Sequence, residues 1–450
     1  MADVRAPHGA QADAPNLLCH AREPSRIISS VDRLLLLVST ASYRAGAFLQ
    51  AAEHLGVPVV VGCEQPHVLA TANPAGNLTL DFQHPEHAVA AAVEYAARFP
   101  IQAVVAADDD GAVLGAMIAR ALGLRHNSVE AVRAARDKHR MRQALAAAGI
   151  PTPRFECFAI STDPREAARG VSYPCVVKPL ALAASRGVMR ADDTEQFAVA
   201  FERLVALLRR PEGGAQGPQL ADHVLVESYI PGIEVALEGL LDGGRLKVLA
   251  IFDKPDPLEG PFFEETIYVT PSRLDAPSQQ AIADCAARVT RALGLGEGPV
   301  HAELRVNAEG VWMIEIAPRS IGGLCSRALR FGDGVSLEEL ILRLAMGLEV
   351  EGYEREPAAS GVMMIPIPRG GVLDEVRGQE EAGKVGGIEE IRITLPKGAE
   401  VVPLPEGARY LGFIFARGET PERVVQALRE AHGWLEVVIR SPAHSKAAQG

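Results

Sequence analysis

The feature of this chain that most limits its fold is a change in the rhythm of its apolar residues near position 130. Before that point, short apolar runs alternate with stretches of helical spacing. They are Leu34–Ser39, a helix over Arg44–Leu55, the β-branched run Val57–Gly62, a helix over His87–Arg98, a strand at Ile101–Ala106 and a helix over Ala112–Leu122. This alternation predicts a parallel sheet with crossover helices, because parallel strands cannot be joined by a tight turn. After that point the spacing predicts a helix over Arg136–Ala148, stopped by Gly149 and Pro151, then a strand ending at Val176-Val177-Lys178-Pro179 and a helix over Thr194–Leu208. Apolar runs then pair across short turns: Ile233–Leu241 with Leu246–Asp253 through Asp242-Gly243-Gly244, and Val300–Val306 with Val311–Ile316 through Asn307–Gly310. This second part reads as α+β and mostly antiparallel. Residues 1–30 and 441–450 hold no sustained period and are expected to be mobile ends.

Several classes of function are excluded by composition. A chain of 450 residues with 48% hydrophobic and 23% charged residues has material for two to four domains. Its net charge of −12 argues against a general attraction to nucleic acid or to an anionic membrane, so a small-molecule partner is expected. The first apolar run, Leu34–Val38, is too short to span a bilayer, and no basic and apolar leader pattern precedes it. Cysteines at 19, 63, 157, 175, 285 and 325 form no CxxC pair, which fits a reducing cytoplasm. No strand is followed by GxGxxG, and neither GxxxxGK(S/T) nor HExxH occurs.

The chemistry concentrates on a predicted hairpin. Glu303 and Glu315 would face each other on a surface that is otherwise apolar, where two like charges need a cation between them. Hard oxygen ligands without His or Cys suit Mg²⁺; the alternative is a solvent-facing pair. Lys138 opens a helix and Lys178 ends an apolar strand, positions at which a lysine is either snorkelling or holding an anion. Lys178 is followed by Leu180–Gly187, a run of small residues whose amides, with the Ser185 hydroxyl, could fold over phosphates. Asp108-Asp109-Asp110 would lie beyond the carboxyl end of a parallel strand, where ligands gather, or would cap the next helix.

Taken in order, Asp137-Lys138, Val177-Lys178-Pro179, Ser185-Arg186-Gly187, Val226-Glu227 through Ile233-Glu234, Glu303 and Glu315-Ile316-Ala317-Pro318-Arg319 resemble the landmarks of the ATP-grasp superfamily of carboxylate–amine ligases. The Glu-Ile-Ala-Pro-Arg stretch is closest to that of L-amino acid ligases, which make dipeptides. The resemblance is strongest over residues 130–350. It implies an α/β and α+β chain, with a Rossmann-like pre-ATP-grasp domain at 31–130 followed by a two-lobed ATP-grasp fold. The small lobe with its phosphate loop would occupy 131–225, and the large lobe with a C-terminal extension 226–440.

The resemblance also implies roles. Lys138, Lys178, Ser185 and Gly187 would contact the ATP phosphates, Glu227 with the backbone of Tyr229 and Ile230 would hold adenine, and Glu234 would receive the ribose hydroxyls. Glu303 and Glu315 would bind Mg²⁺, with Mn²⁺ able to substitute, and Arg319 would lie beside the reacting acyl group. Asp109 would pair with an amino acid's ammonium, and Glu265 and Tyr268 would touch substrate. Gly323 would leave room in the acceptor pocket. Dipeptide ligases carry His where Tyr268 stands and can carry a bulky aromatic at the place of Gly323, and many superfamily members carry Asn at the place of Ala317.

The expected activity is an ATP- and Mg²⁺-dependent ligase joining a small carboxylate, such as an amino acid, to an amine through an acyl phosphate. Two rivals are a purine-pathway-like ligase acting on a ribonucleotide and a non-catalytic nucleotide-binding protein. The former would want a basic phosphate pocket in the N-terminal lobe, where Ser39–Ala45 offers only Arg44. Strands at Gly361–Pro368, Ile391–Leu395, Leu411–Ala416 and Leu435–Ile439, with a helix at Pro421–Ala431, are expected to complete the second lobe, for packing or for a homodimer contact.

Overall fold

The structure is a computed structural model, and it describes residues 32–40, 42–65, 76–210 and 218–441. The expected mobile ends, Cys19 and most of a Gly/Pro linker at 211–218 lie outside the described residues. Strands Arg33–Leu37 (β1), Val59–Cys63 (β2), Asn77–Thr79 (β3) and Ile101–Ala106 (β4) form a parallel sheet in the order β3-β2-β1-β4. Leu34 to Leu37 are all buried because both faces are covered. Helix α1 (Ala45–Leu55) brings Phe48 to one face, while α2 (Pro85–Arg98) and α3 (Asp109–Ala121) bring Ala92 and Ile118 to the other. Helix α3 starts earlier than the sequence spacing predicts. Asp109 and Asp110 lie in its first turn, where carboxylates meet the positive end of the helix dipole, and Asp108 stands at the N-cap without a capping bond.

The helix expected over Arg136–Ala148 is α5 (Lys138–Ala147), and a separate helix, α4 (Val129–Arg136), ends just before it. Asp137 breaks them apart: it adopts an extended conformation, and its carboxylate accepts from the amides of His139 and Arg140 at 3.0 and 3.2 Å. The break puts Lys138 at the start of a new helix.

Strands Phe155–Ala159 (β5), Cys175–Pro179 (β6), Met189–Ala191 (β7) and His223–Ser228 (β8) form a sheet ordered β5-β8-β6-β7. The helix Thr194–Leu208 packs Phe197, Phe201 and Leu204 onto it. Strand β8 runs across the expected boundary at 225, so this lobe extends through Ser228.

The large lobe is built on strands Ile233–Asp242 (β9), Arg245–Asp253 (β10), Ile267–Thr270 (β11), Gly298–Asn307 (β12), Gly310–Ala317 (β13) and Ala359–Ile365 (β14). Beyond them come Gly371–Arg377 (β15), Ile388–Ile393 (β16), Glu400–Val401 (β17), Gly412–Gly418 (β18) and Glu436–Arg440 (β19). Eight of these form one sheet, β13-β12-β9-β10-β11-β14-β18-β16. The chain beyond residue 355 thus continues the large-lobe sheet. The helix Ala276–Leu293 covers one face through Ile282 and Val289. On the other, Leu340 and Ile341 share a core with Phe48 of α1 and Phe413 of β18. No helix among the described residues is long and apolar enough to cross a membrane.

One buried arginine joins the lobes. Arg142 of α5 has no exposed surface. Its guanidinium donates to both oxygens of Glu227 on β8, at 2.6 and 3.1 Å, and to the carbonyls of Met313 and Ile314 on β13, each at 2.8 Å. Lys178, at the end of β6, takes the other side of Glu227 at 2.6 Å. Burial alone would raise the pKa of Glu227, but Arg142 and Lys178 overcome it and hold the carboxyl at about 2. Breaking such a pair strands a buried charge, so Arg142→Leu should cost about 3–5 kcal/mol in denaturant unfolding at neutral pH. Because folding lowers the Glu227 pKa from its ordinary 4.5, its contribution is complete above 4.5 and is lost as pH falls toward about 2. The stability gap between the wild type and Glu227→Gln should therefore narrow over that window in acid-unfolding measurements.

Candidate active site

A cleft of about 930 Å³ opens between the two lobes. Its walls come from the start of α5, the end of β6, the β8–β9 connection and one face of the β9, β12 and β13 strands. Side chains alternate along strands, so charged residues two apart share this face. Register sets His301 beside Glu238 and Arg305 beside Glu234 across β12 and β9, and Glu303 opposite Glu315 across β12 and β13.

At one end, Lys138 Nζ donates to the Leu182 carbonyl and to Glu315 Oε1, both at 3.0 Å. Lys178 is also in the cleft, held by Glu227, and burial pulls its pKa down against that pairing. The loop after β6 turns through two non-glycine residues in the left-handed region, Ala184 at φ 56° and Ser185 at φ 53°, which leaves Ser185 on the cleft wall. Gly187 does not meet the expectation of a phosphate donor. Its amide donates to the Pro405 carbonyl at 2.8 Å, and a Cβ there would lie 2.8 Å from Leu204, so glycine is required by packing. The adenine expectation also changes. Both oxygens of Glu227 are occupied, the Tyr229 amide donates to the Pro174 carbonyl at 3.0 Å, and the Ile230 carbonyl accepts from Arg305 at 2.6 Å. The Tyr229 ring lies under the Arg190 guanidinium, 4.3 Å from its centre.

The middle of the cleft is acidic. Carboxylate oxygens of Glu234, Glu265 and Glu303 approach within 4.8 Å of one another. Buried Lys254 sits among them, 2.7 Å from Glu234 and 3.5 Å from Glu303, with a short contact to Glu265. Burial would lower the Lys254 pKa, but the three carboxylates raise it well above its ordinary value. Burial and the Glu303 charge push Glu265 up to about 7, whereas Lys254 and His301 hold Glu303 well below the usual range against its own burial. His301 Nε2 lies 3.5 Å from Glu303 and Nδ1 contacts Glu238, which overcomes burial and raises the imidazole to about 9. The other Glu238 oxygen accepts from the Ile321 amide at 3.1 Å. Glu303 and Glu315, opposed on neighbouring strands and lining the same cleft, form an all-oxygen donor pair that fits Mg²⁺. Ala317 lines the cleft where a third oxygen donor could have stood.

Arg319 marks the far end. Its Nε and Nη2 donate to one oxygen of Asp109 at 2.9 and 2.7 Å, so the two residues expected to bind the acyl group and the ammonium separately are joined across the domain junction. Burial lowers the Arg319 pKa and Asp109 more than restores it. Glu265 lines the cleft, but Tyr268 is buried behind it, its ring 5.1 Å from Lys254 Nζ. Gly323 leaves no open room: a Cβ there would lie 3.0 Å from the ring of Phe413, which comes from β18.

Lys254, His301, Glu238, Arg305 and Arg142 are absent from the sequence-derived site. A signal existed for Lys254, since Lys254-Pro255 ends an apolar run just as Lys178-Pro179 does. The i, i+2, i+4 spacing of His301, Glu303 and Arg305 was a second.

Family comparisons match an ATP-grasp N-terminal domain over residues 49–126, an ATP-grasp domain over 171–328 and an L-amino acid ligase C-terminal domain 2 over 363–440. The chain is 28% identical over 299 residues to an alanine–anticapsin ligase of Bacillus amyloliquefaciens, covering 60% of this chain and 62% of that protein. The crystal structure of an L-amino acid ligase from Bacillus licheniformis superposes with a TM-score of 0.76 at 25% identity, over 91% of this chain and 99% of that one. An N5-carboxyaminoimidazole synthase from Aspergillus clavatus, in complex with ADP and 5-aminoimidazole ribonucleotide, shares the fold at a TM-score of 0.66 and 16% identity, over 90% of this chain and all of that one. By domain content and fold together, the chain carries an ATP-grasp domain within an ATP-grasp fold and is similar to the L-amino acid ligases.

Proposed function

We propose that this protein is an ATP- and Mg²⁺-dependent ligase that joins the carboxylate of a small acid, best an amino acid, to an amine through an acyl phosphate. The observation that carries this reading is the convergence of Lys138, Lys178, Glu303, Glu315 and Arg319 on one cleft. Bound Mg²⁺, or Mn²⁺ in its place, would neutralise the ATP phosphates. The two lysines are point charges suited to phosphate: Lys138 can exchange its carboxylate partner, Glu315, for a phosphate oxygen, and Lys178 can keep Glu227 and donate another of its N–H groups. The fork of Arg319 matches a carboxylate or the tetrahedral intermediate. When Arg319 turns to the acyl group, the Asp109 carboxylate is released to receive an ammonium. Transfer of the phosphoryl group leaves ADP, attack by the amine expels phosphate, and the lobes' task is to position charge and exclude water.

The ribonucleotide alternative is weakened by Arg44, the N-terminal cation that could have held a substrate phosphate. It is buried, and its guanidinium is used by the carbonyls of Ala107 and Ser320 and by the Ser320 hydroxyl. A pure nucleotide binder would need neither Arg319 nor its partner Asp109. Similarity to an alanine–anticapsin ligase and to an L-amino acid ligase supports an amino acid substrate.

Phosphate release with Mg-ATP should depend on a carboxylic acid offered together with an amine, with amino acids the best pairs in a panel; indifference to every pair would overturn the reading. Arg319→Ala should bind ATP almost normally yet lose substrate-dependent phosphate release by about 10²-fold or more, and Arg319→Lys, which keeps charge without the fork, should fall in the same direction. Joint loss of Mg-ATP binding and thermal stability would instead make Arg319 a brace. Glu303→Gln and Glu315→Gln should each remove most turnover, as should chelation of the metal, with the melting temperature nearly unchanged. A matching drop in stability and activity would point to a structural hairpin.

A further inference from the structure

The C-terminal section does more than extend the sheet. Between β17 and β18 the chain crosses to the small lobe and grips the two pieces that carry the phosphate loop. The Pro405 carbonyl accepts from the Gly187 amide at 2.8 Å, and the Glu406 carbonyl accepts from Arg186 Nε at 3.0 Å. The Glu406 carboxylate takes a two-point pair from Arg203 on the helix Thr194–Leu208, its second contact at 2.9 Å. The crossing loop has its own internal shape: Gly407 donates to the Pro403 carbonyl at 2.9 Å, and a Cβ on Gly407 would lie 2.0 Å from the Val402 carbonyl oxygen. It is anchored to the large-lobe sheet where the Leu411 amide donates to the Ile365 carbonyl at 2.9 Å. Ala184 of the phosphate loop lines both the main cleft and a smaller one of about 260 Å³, whose other walls include Pro403, Leu404 and Tyr410.

We propose that residues 402–410 are a catch that keeps the phosphate loop closed over the nucleotide, and that Glu406 is its positioning residue. An exposed ion pair alone contributes little. Here the pair is two-pointed and pins to the small lobe the same residue pair, Pro405-Glu406, that accepts the two hydrogen bonds from Arg186 and Gly187, so the loop cannot lift without breaking both of those bonds. Resting on the ligase reading above, the catch has a chemical consequence. A closed loop shields the acyl phosphate from water, whose attack at the acyl carbon would expel phosphate and return the carboxylate without forming an amide.

The test uses the full-length protein carrying Glu406→Gln, which keeps size and removes charge, and separately Arg203→Gln, which approaches the same pair from the small lobe. Amide exchange over residues 183–188 is followed without nucleotide and with Mg-ADP, alongside the KM for ATP, kcat and phosphate released per amide formed. Each variant should exchange the Gly187 amide about three- to tenfold faster, on the scale of losing a surface pair of this geometry. Each should also raise the KM for ATP and the phosphate-to-amide ratio, with melting temperature unchanged. The exchanged pair Glu406→Arg with Arg203→Glu should recover part of each, which assigns the effect to the pair, while a merely structural role would lower the melting temperature without raising the phosphate-to-amide ratio. Unchanged exchange at 183–188 in both single variants would overturn the catch. If no acid and amine pair is turned over by the wild type, the ligase reading fails on its own, and the exchange rates still decide whether the catch exists.

Discussion

A carboxylate removed from water must find cations for both oxygens, and at Glu227 that requirement fixes how three distant stretches of chain meet. Arg142 comes from a helix that exists as a separate element only because Asp137 interrupts the one before it. Lys178 comes from the end of β6, and the remaining Arg142 donors reach the carbonyls of β13. Remove any partner and an uncompensated charge remains in a dry place, so the three stretches must meet in this one arrangement or pay for a stranded charge. The strand ends that bear Lys178, Glu227 and Glu315 are the edges of the cleft, so the same contact that joins the lobes also sets the spacing of the site.

The neighbouring ion pairs follow the same logic with a different outcome. Lys138 with Glu315 and Arg319 with Asp109 each set one charge against one, while Lys254 stands among three carboxylates. Unlike the Arg142 guanidinium, Lys138, Lys254 and Arg319 sit at or beside the cleft, where a ligand charge can replace a protein one. A highly charged nucleotide therefore meets cations already oriented and already desolvated, which is how a fixed site stabilises transferring charge at small reorganisation cost.

Much of this was legible in the sequence. The parallel sheet announced itself through Leu34–Leu37, apolar without interruption because both faces are covered. Lys178, Glu303, Glu315 and Arg319 stood out as charge at the ends or faces of apolar strands, and all line the cleft. The failures have local causes. The helix expected from Arg136 starts two residues later, at Lys138, because the extended Asp137 caps it through its side chain. The filling of the space above Gly323 depends on Phe413, ninety residues later, and a glycine looks empty until its spatial neighbour is known. Likewise the partner of the Gly187 amide, Pro405, comes from another part of the chain, as does Arg142, which holds Glu227 at the wall of the cleft.

The position of the C-terminal section now has a physical reason. A mobile phosphate loop made of small residues cannot hold itself closed, since it contributes little apolar surface, and Ala184 and Ser185 occupy a backbone region disfavoured for side chains with a Cβ. Some other element has to supply the holding contacts. Strands β14, β18 and β16 extend the large-lobe sheet to the side where that loop lies, and the connection into β18 delivers Pro405 and Glu406 to it. Tyr410 follows on the same short connection, packs edge-on against Phe413 and lines the smaller cleft together with Ala184 of that loop. The residues that grip the nucleotide loop and one that walls the smaller cleft beside it are thus carried by one continuous piece of backbone, so the loop is held by contacts from the large-lobe sheet rather than by its own side chains.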